Sequence, residues 1–189
     1  MMHIQRLTHP GLDLSLSELK SFLRVDHDDE DLTISGMADA VARELEDAAE
    51  IALINQTIRV TLEGWPHAGS VRLPIGPVLS DDPAPQVSAN GEQIEADLIL
   101  GNRPVIILTG PLTEALRHAR IVIEYQAGYG ATAATLPPDI QHALRDQVAV
   151  LYDFRGANPH EGRTPTARGT SGLCYAMQRV IGRYRGVRA

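Results

Sequence analysis

Few residues in this chain have the types and spacing that chemistry requires. The densest acidic stretch runs from Asp26 to Glu50, where ten acids accompany one arginine. Asp26, Asp28 and Glu30 invite a calcium-loop reading. The sixth-position glycine and the spaced terminal glutamate of such a loop are missing, and helix capping explains these carboxylates better. The seven histidines, His3, His9, His27, His67, His118, His142 and His160, are scattered. None forms the paired-histidine-plus-glutamate helix of zinc hydrolases. Cys174, the single cysteine, has no nucleophile signature around it and reads as a small packing residue. No serine sits in a nucleophile elbow. Gly128-Tyr129-Gly130 lacks the third glycine of a dinucleotide fingerprint, and no glycine-rich loop with a lysine offers to cradle phosphate. The residues therefore point to no enzyme, no metal and no cofactor. The best remaining candidate for chemistry is the basic end. From Arg155 to Arg188 there are seven arginines and one acid, Glu161. Arg163, Arg168, Arg179, Arg183, Arg185 and Arg188 could meet phosphate, but arginine suits carboxylates on a protein partner equally well. Only Tyr175 and Tyr184 interleave with them, and the whole chain carries a net charge of −7. That combination suits a sequence-specific nucleic-acid reader poorly. A nucleic-acid-binding accessory protein using this end stands as the alternative reading.

Size and composition fit these exclusions. A chain of 189 residues holds one domain, or one compact domain with an insertion, and can bury a core without staples. One cysteine allows no intramolecular disulfide, which suits a reducing compartment. No apolar run approaches the roughly 18 residues that cross a bilayer, so no membrane partner is expected. Residues 1–10 have no hydrophobic stretch of the kind a signal peptide needs. A soluble cytosolic protein is expected.

The elements that would position these residues come in three blocks. Ser15 and Glu18 have capping-box spacing, and Leu14 and Leu19 are placed as a hydrophobic staple, so a helix is expected over 15–25. Asp28 is a suitable N-cap for a second helix over 28–54, with Asp29, Glu30 and Asp31 at its positive end. Ile34, Met37, Ala38, Val41, Leu45, Ala48 and Ala52 form its apolar stripe. From about 55 to 126 the period shifts from 3.6 to 2. Ile58, Val60 and Leu62 alternate with polar residues until Gly64-Trp65-Pro66, and Val71 to Leu73 is a short strand candidate. Asn90-Gly91 marks a hairpin, because a type I′ turn needs two positive φ angles. Leu98 to Leu108 reads as another hairpin around Gly101 to Pro104. Ile121, Ile123 and Tyr125 line one side of a last strand. Pro137-Pro138 then opens a helix over 137–155, where proline's missing N–H costs nothing. Ile140, Ala143, Leu144, Val148, Leu151 and Tyr152 form its apolar face.

These residues resemble the head–tail connector (adaptor) family of tailed bacteriophages and phage-derived gene transfer agents. The resemblance rests on Leu14 to Lys20, Leu23 to Asp26, Asp28-Asp29-Glu30, Asn55-Gln56-Thr57, Leu62 to Pro66 and Leu73-Pro74 with Pro77-Val78. It continues through Ala127-Gly128-Tyr129-Gly130, Pro137-Pro138 and Leu151-Tyr152 with Arg155. It covers most of residues 12–155 and fades beyond, where a Gly/Pro/Thr-rich stretch intervenes. The fold expected is α+β, a small helical bundle carrying a β-rich insertion and a C-terminal helical arm. Residues 1–155 would form one adaptor domain, 156–172 a flexible linker and 173–189 a docking arm. The resemblance implies a structural part of the head–tail neck, assembled in the bacterial cytoplasm. It would be a ring of about twelve copies between the capsid portal and a tail-side stopper or connector protein, each copy contacting the next by a repeated surface. DNA would pass through unread, and net acidic walls suit a conduit that must not grip phosphate. Strand edges or loops of the β segment would contact neighbouring copies.

The arm must be read from its own residues. Leu173, Met177, Val180, Ile181 and Tyr184 share a helical face, with Arg179, Arg183 and Arg185 around it and Tyr175 beside it. A helix of about thirteen residues is marginal alone in water, so its apolar face needs a partner. Two outcomes are open: packing back on its own bundle, or ordering against the portal or a neighbouring copy, with arginines pairing to acids there.

Overall fold

The computed structural model describes residues 2–12, 14–154 and 172–185. The chain divides into two compact units, Met1–Pro10 with Glu50–Ala131 and Gly11–Ala49 with Thr132–Ala189. The class is α+β, as the sequence predicts, and the described strands all lie in the first unit. Most of the expected linker lies outside the described residues, as do Arg155, Arg163, Arg168 and Arg188.

The first unit holds eight strands, β1 (Met2–Arg6), β2 (Gln56–Glu63), β3 (Ser70–Arg72), β4 (Gln86–Ala89), β5 (Glu92–Gln93), β6 (Ala96–Ile99), β7 (Val105–Leu108) and β8 (Arg120–Ala127). They form an antiparallel five-stranded sheet in the order β1-β2-β8-β4-β5 and a three-stranded sheet in the order β3-β7-β6. The period-2 pattern explains the packing. In the register that pairs Val60 with Ile123, the side chains of Ile58, Val60, Leu62, Ile121, Ile123 and Tyr125 all turn inward and are buried. Trp65, Val71, Leu73, Val87 and Ile106 complete this core. The Asn90-Gly91 turn joins β4 to β5, with φ of 51° and 90° at its two residues. β6 and β7 form the second expected hairpin. β1 was not expected, since residues 2–6 are too short and too polar for a clear alternation.

The Ala127-Gly128-Tyr129-Gly130 motif has a packing reason. The Gly128 N–H donates to the Pro77 carbonyl at 2.8 Å, and the Asn55 N–H donates to the Gly130 carbonyl at 2.8 Å. Gly128 sits at φ 149°, and a Cβ there would lie 2.5 Å from the Asn55 nitrogen. Only glycine fits so close a backbone crossing. Nearby, the Tyr125 hydroxyl donates to the Ile75 carbonyl at 3.0 Å and accepts from the Ile75 N–H at 3.3 Å. Burial drives this phenol's pKa far up, so it stays a neutral donor. A short helix, α3 (Glu114–His118), is capped by the Thr113 side chain.

The second unit contains α1 (Leu16–Leu23), α2 (Asp31–Ala49), α4 (Pro138–Asp153) and α5 (Tyr175–Tyr184). α1, α2 and α4 are each shorter than their sequence ranges. α1 closes at Arg24, which adopts a left-handed φ of 58°. α2 starts three residues after Asp28, whose carboxylate serves Lys20 at 2.5 Å instead of capping. The Ser15 side chain accepts from the Glu18 N–H, which is half of the expected capping box. The other half is diverted: the Glu18 carboxylate accepts from Arg145 on α4 at 2.5 Å. Ile34, Ala38, Val41 and Leu45 of α2 are buried, as are Ile140, Ala143, Leu144, Val148 and Tyr152 of α4. Leu151, placed on the buried face by the periodicity, is 36% exposed. Gln147, a polar residue one turn before it, is buried in its stead.

Candidate interaction surfaces

The described residues assemble no catalytic constellation. Among them, no group of three or more His, Cys, Asp or Glu side chains is placed to hold a metal ion. No described helix is long and apolar enough to cross a membrane. The acidic cluster divides into structural pairings. Lys20 contacts Asp28 at 2.5 Å and Asp31 at 2.8 Å, and the Tyr152 hydroxyl donates to Glu30. Cys174 is an N-cap: its Sγ accepts from the Met177 N–H at 3.4 Å, and burial pushes its thiol pKa up. A thiol held protonated is a poor nucleophile.

The C-terminal residues singled out from the sequence divide by face. α5 packs against α4 and α2. Met177 and Val180 are buried there, with Leu173, Ile181 and Tyr184 half-buried. Gln147 fixes the start of this helix. Its side-chain oxygen accepts from the Cys174 N–H at 2.7 Å, and its side-chain nitrogen donates to the Gly172 carbonyl at 3.3 Å. At the far end, Arg183 donates to Asp139 at 3.0 Å and the Tyr184 hydroxyl donates to the same carboxylate at 3.1 Å. In this structure α5 is seated on its own bundle. What remains exposed is Tyr175, Arg179 and Arg183, spaced i, i+4, i+8 on one face. The Arg179 guanidinium lies 5.8 Å from the Tyr175 ring centre, within cation–π range. Arg185 is exposed just beyond the helix.

The β-rich unit presents two further surfaces. On the outer face of the five-stranded sheet, a groove of about 510 Å³ is lined by Arg59, Thr61, Ser88, Asn90, Arg120 and Glu124. Arg59 and Glu124 neutralise one another across the strands at 2.7 Å, and Asn90 accepts from the Arg120 N–H at 2.8 Å. The groove is shallow and its Arg59–Glu124 pair is already satisfied, which suits a contact face better than a small-ligand pocket. The second surface is apolar. Met2, Ile4 and Leu7 are exposed on or beside β1, and Ile99, Leu100 and Ile107 on the three-stranded sheet. The hydrophobic pattern gave no notice of either edge, because a strand's neighbours are not written in its own residues.

No protein-family model matches the chain, and no curated protein matches it. Solved structures do. A chain from the virion of a native gene transfer agent particle is 24% identical, with a TM-score of 0.73 over 98% of this chain and 96% of that one. A chain from the neck of an empty gene transfer agent particle, computed with C6 symmetry, is 25% identical, with a TM-score of 0.73 over 99% and 97%. A chain from the neck of a native particle, computed with C12 symmetry, is 24% identical, with a TM-score of 0.71 over the same shares. The likeness spans both units and runs nearly end to end in both directions. The chain has the fold of a chain from the gene transfer agent neck, the kind of particle to which its sequence motifs already bear a resemblance.

Proposed function

We propose that this protein is a structural neck component of a gene transfer agent or tailed-phage particle, acting as a head–tail adaptor. A ring of about twelve copies would bind the capsid portal on one side and a tail-side stopper or connector on the other, with closure set by one repeated contact. DNA would pass through the ring without being read. The observation that carries the proposal is the end-to-end likeness to chains from necks computed with C6 and C12 symmetry. The absence of a catalytic constellation among the described residues is consistent with a scaffold and is not itself the argument.

The exposed α5 face, Tyr175, Arg179 and Arg183, is the proposed contact with the portal or a neighbouring copy. Tyrosine and arginine are the residue types that dominate binding energy at protein interfaces. The buried Met177 and Val180 serve the bundle, so the contact uses the outer face of the arm and not its apolar stripe.

The test is direct. Purified protein is mixed with portal protein at moderate salt and followed by native mass and electron microscopy. A ring seated on the portal is expected, with the free protein monomeric or weakly associated. Failure to join the portal, together with submicromolar retention of duplex DNA, would instead favour the nucleic-acid reading. The adaptor should bind duplex DNA no better than the non-specific range of roughly 10⁻⁴ to 10⁻⁶ M.

A further inference from the structure

Strand β1 is an edge that the fold leaves uncovered. It pairs with β2 on one side only, and Met2, His3, Ile4 and Gln5 are all exposed. Among the described residues, Met2 to Gln5 make no backbone hydrogen bond to any segment other than β2. Soluble proteins normally blunt such edges with charge, proline or short length. The opposite edge of the same sheet obeys that rule: β5 is two residues long and reads Glu92-Gln93. β1 does not. It is five residues long, and its core-side positions Met2 and Ile4 are 42% and 44% exposed.

A second uncovered edge lies on the other sheet. β6 pairs only with β7, and Ile99 and Leu100 at its end are 50% and 44% exposed. β3, at the far side of that sheet, is three residues long and carries Arg72. β3 and β5 are thus the short edges, of three and two residues, and β6 and β1 the longer ones, of four and five. The longer edges differ from each other, and each presents exposed apolar residues, with the exposed Asp97 beside Ile99 on β6. A closed ring of identical copies requires this asymmetry, because each copy must offer one surface to the copy ahead and a different one to the copy behind. A symmetric dimer would need only one self-complementary edge.

We infer that β1 of one copy pairs along β6 of the next, joining the five-stranded sheet of one to the three-stranded sheet of the other. The inference rests on the ring reading above and assigns its repeated contact. Side-chain parity selects the register. Ile99 shares its face of the second sheet with Val105 and Arg72, its neighbours across the strands. Setting Ile4 opposite Ile99 puts Met2 and Ile4 on that face, and a slip of one residue would turn both away. Backbone hydrogen bonds would provide the attachment and the Ile4–Ile99 contact the register, as in other strand-addition interfaces.

The full chain carrying Cys174→Ser, which preserves an N-cap side chain for α5, provides the test. Ile4→Cys and Ile99→Cys are added singly and together, at exposed positions where the fold tolerates change. Each protein is assembled on the portal and treated with a short thiol-to-thiol crosslinker. The double variant is expected to give a ladder of covalent multimers on a denaturing gel, and each single variant only monomer. Rings that assemble but give no ladder would overturn the edge assignment and leave the ring reading standing. Dimers from Ile4→Cys alone would show β1 pairing with itself and overturn the assignment too. If the unaltered protein forms no ring on the portal, the ring reading fails and the inference fails with it.

Discussion

The two units solve the burial problem in opposite ways, and each leaves a different kind of surface over. The β-rich unit buries one face of a twisted sheet and leaves apolar residues at strand edges and on the second sheet, Met2, Ile4, Ile99, Leu100 and Ile107. The helical unit folds its C-terminal helix back on its own bundle and leaves Tyr175, Arg179 and Arg183 outward on that helix, with Leu32 at 91% and Phe22 at 44% exposed on its other helices. A sheet cannot satisfy its own outermost backbone groups, whereas a helix satisfies nearly all of its own. The strand edges of the first unit therefore favour strand addition, and the outer face of α5 favours side-chain pairing. One chain could in this way contact two classes of neighbour without mixing their signals.

The largest expected effects come from charging each core. Ile123→Asp and Leu144→Asp place a carboxylate at positions that are fully buried. Each should cost roughly 3–5 kcal/mol or more, comparable to the stability of a domain. Amide exchange should rise in β2 and β8 for the first and in α2 and α4 for the second. Leu151→Asp is the control, since Leu151 is exposed, and should shift the melt by about 1 kcal/mol or less. A Leu151→Asp protein that unfolds like Leu144→Asp would show that the helical face has been drawn wrongly.

Truncation after Arg155 comes next. It removes Met177 and Val180 from the bundle and leaves Gln147 without its partners. Burying one such side chain contributes about 1.5–3 kcal/mol, so a loss of several kcal/mol in the melt of the remainder is expected. An unchanged melt would mean that the arm leaves its seat in solution. Gln147→Leu isolates the polar part of that seat. It keeps the volume but orphans the Cys174 N–H and the Gly172 carbonyl, for an expected cost of about 2 kcal/mol. Gly128→Ala is the counterpart in the β-rich unit. Its Cβ would clash with the Asn55 backbone at a positive φ, for a cost of about 1–3 kcal/mol.

These residues also show where sequence reading succeeds and where it stops. The α4 helix was legible because Pro137-Pro138 and the 3.6 period are local signals, and so was the Asn90-Gly91 hairpin. Gln147 was invisible, because periodicity ranks side chains by hydropathy and a buried amide betrays itself only through the backbone it serves. Glu18 was legible as a capping residue and yet pairs with Arg145, 127 residues away. β1 was missed for the related reason that its pairing with β2 crosses some fifty residues of other structure. The interaction surfaces fared worst. Edge exposure depends on the order of strands in a sheet, and α5's outer face is defined by what its inner face covers.

The smallest effect expected is electrostatic and belongs to the helical unit. The side-chain hydrogen bond from Lys20 holds Asp28 below its ordinary pKa of 3.8, and the same bond is the largest cause raising Lys20 above 10.5. The signs fix the window. A carboxylate with a depressed folded pKa adds stability above its ordinary value, and this is lost as pH falls through the folded pKa. An amine with a raised pKa adds stability below its ordinary value, lost as pH rises through the folded one. The pair should therefore stabilise from weakly acid to weakly alkaline pH and fade at both ends. Asp28 is largely open to water although the Lys20 side chain is only 14% exposed, so the effect should be slight and should shrink further with added salt. Asp28→Asn should flatten the acid limb of the melting-temperature profile slightly, since it removes the one carboxylate that Lys20 holds below its ordinary range. An acid limb identical to that of the unaltered protein would mean that Leu19 and its apolar neighbours, not the ion pair, join α1 to α2. The contrast between the units would then rest on burial alone.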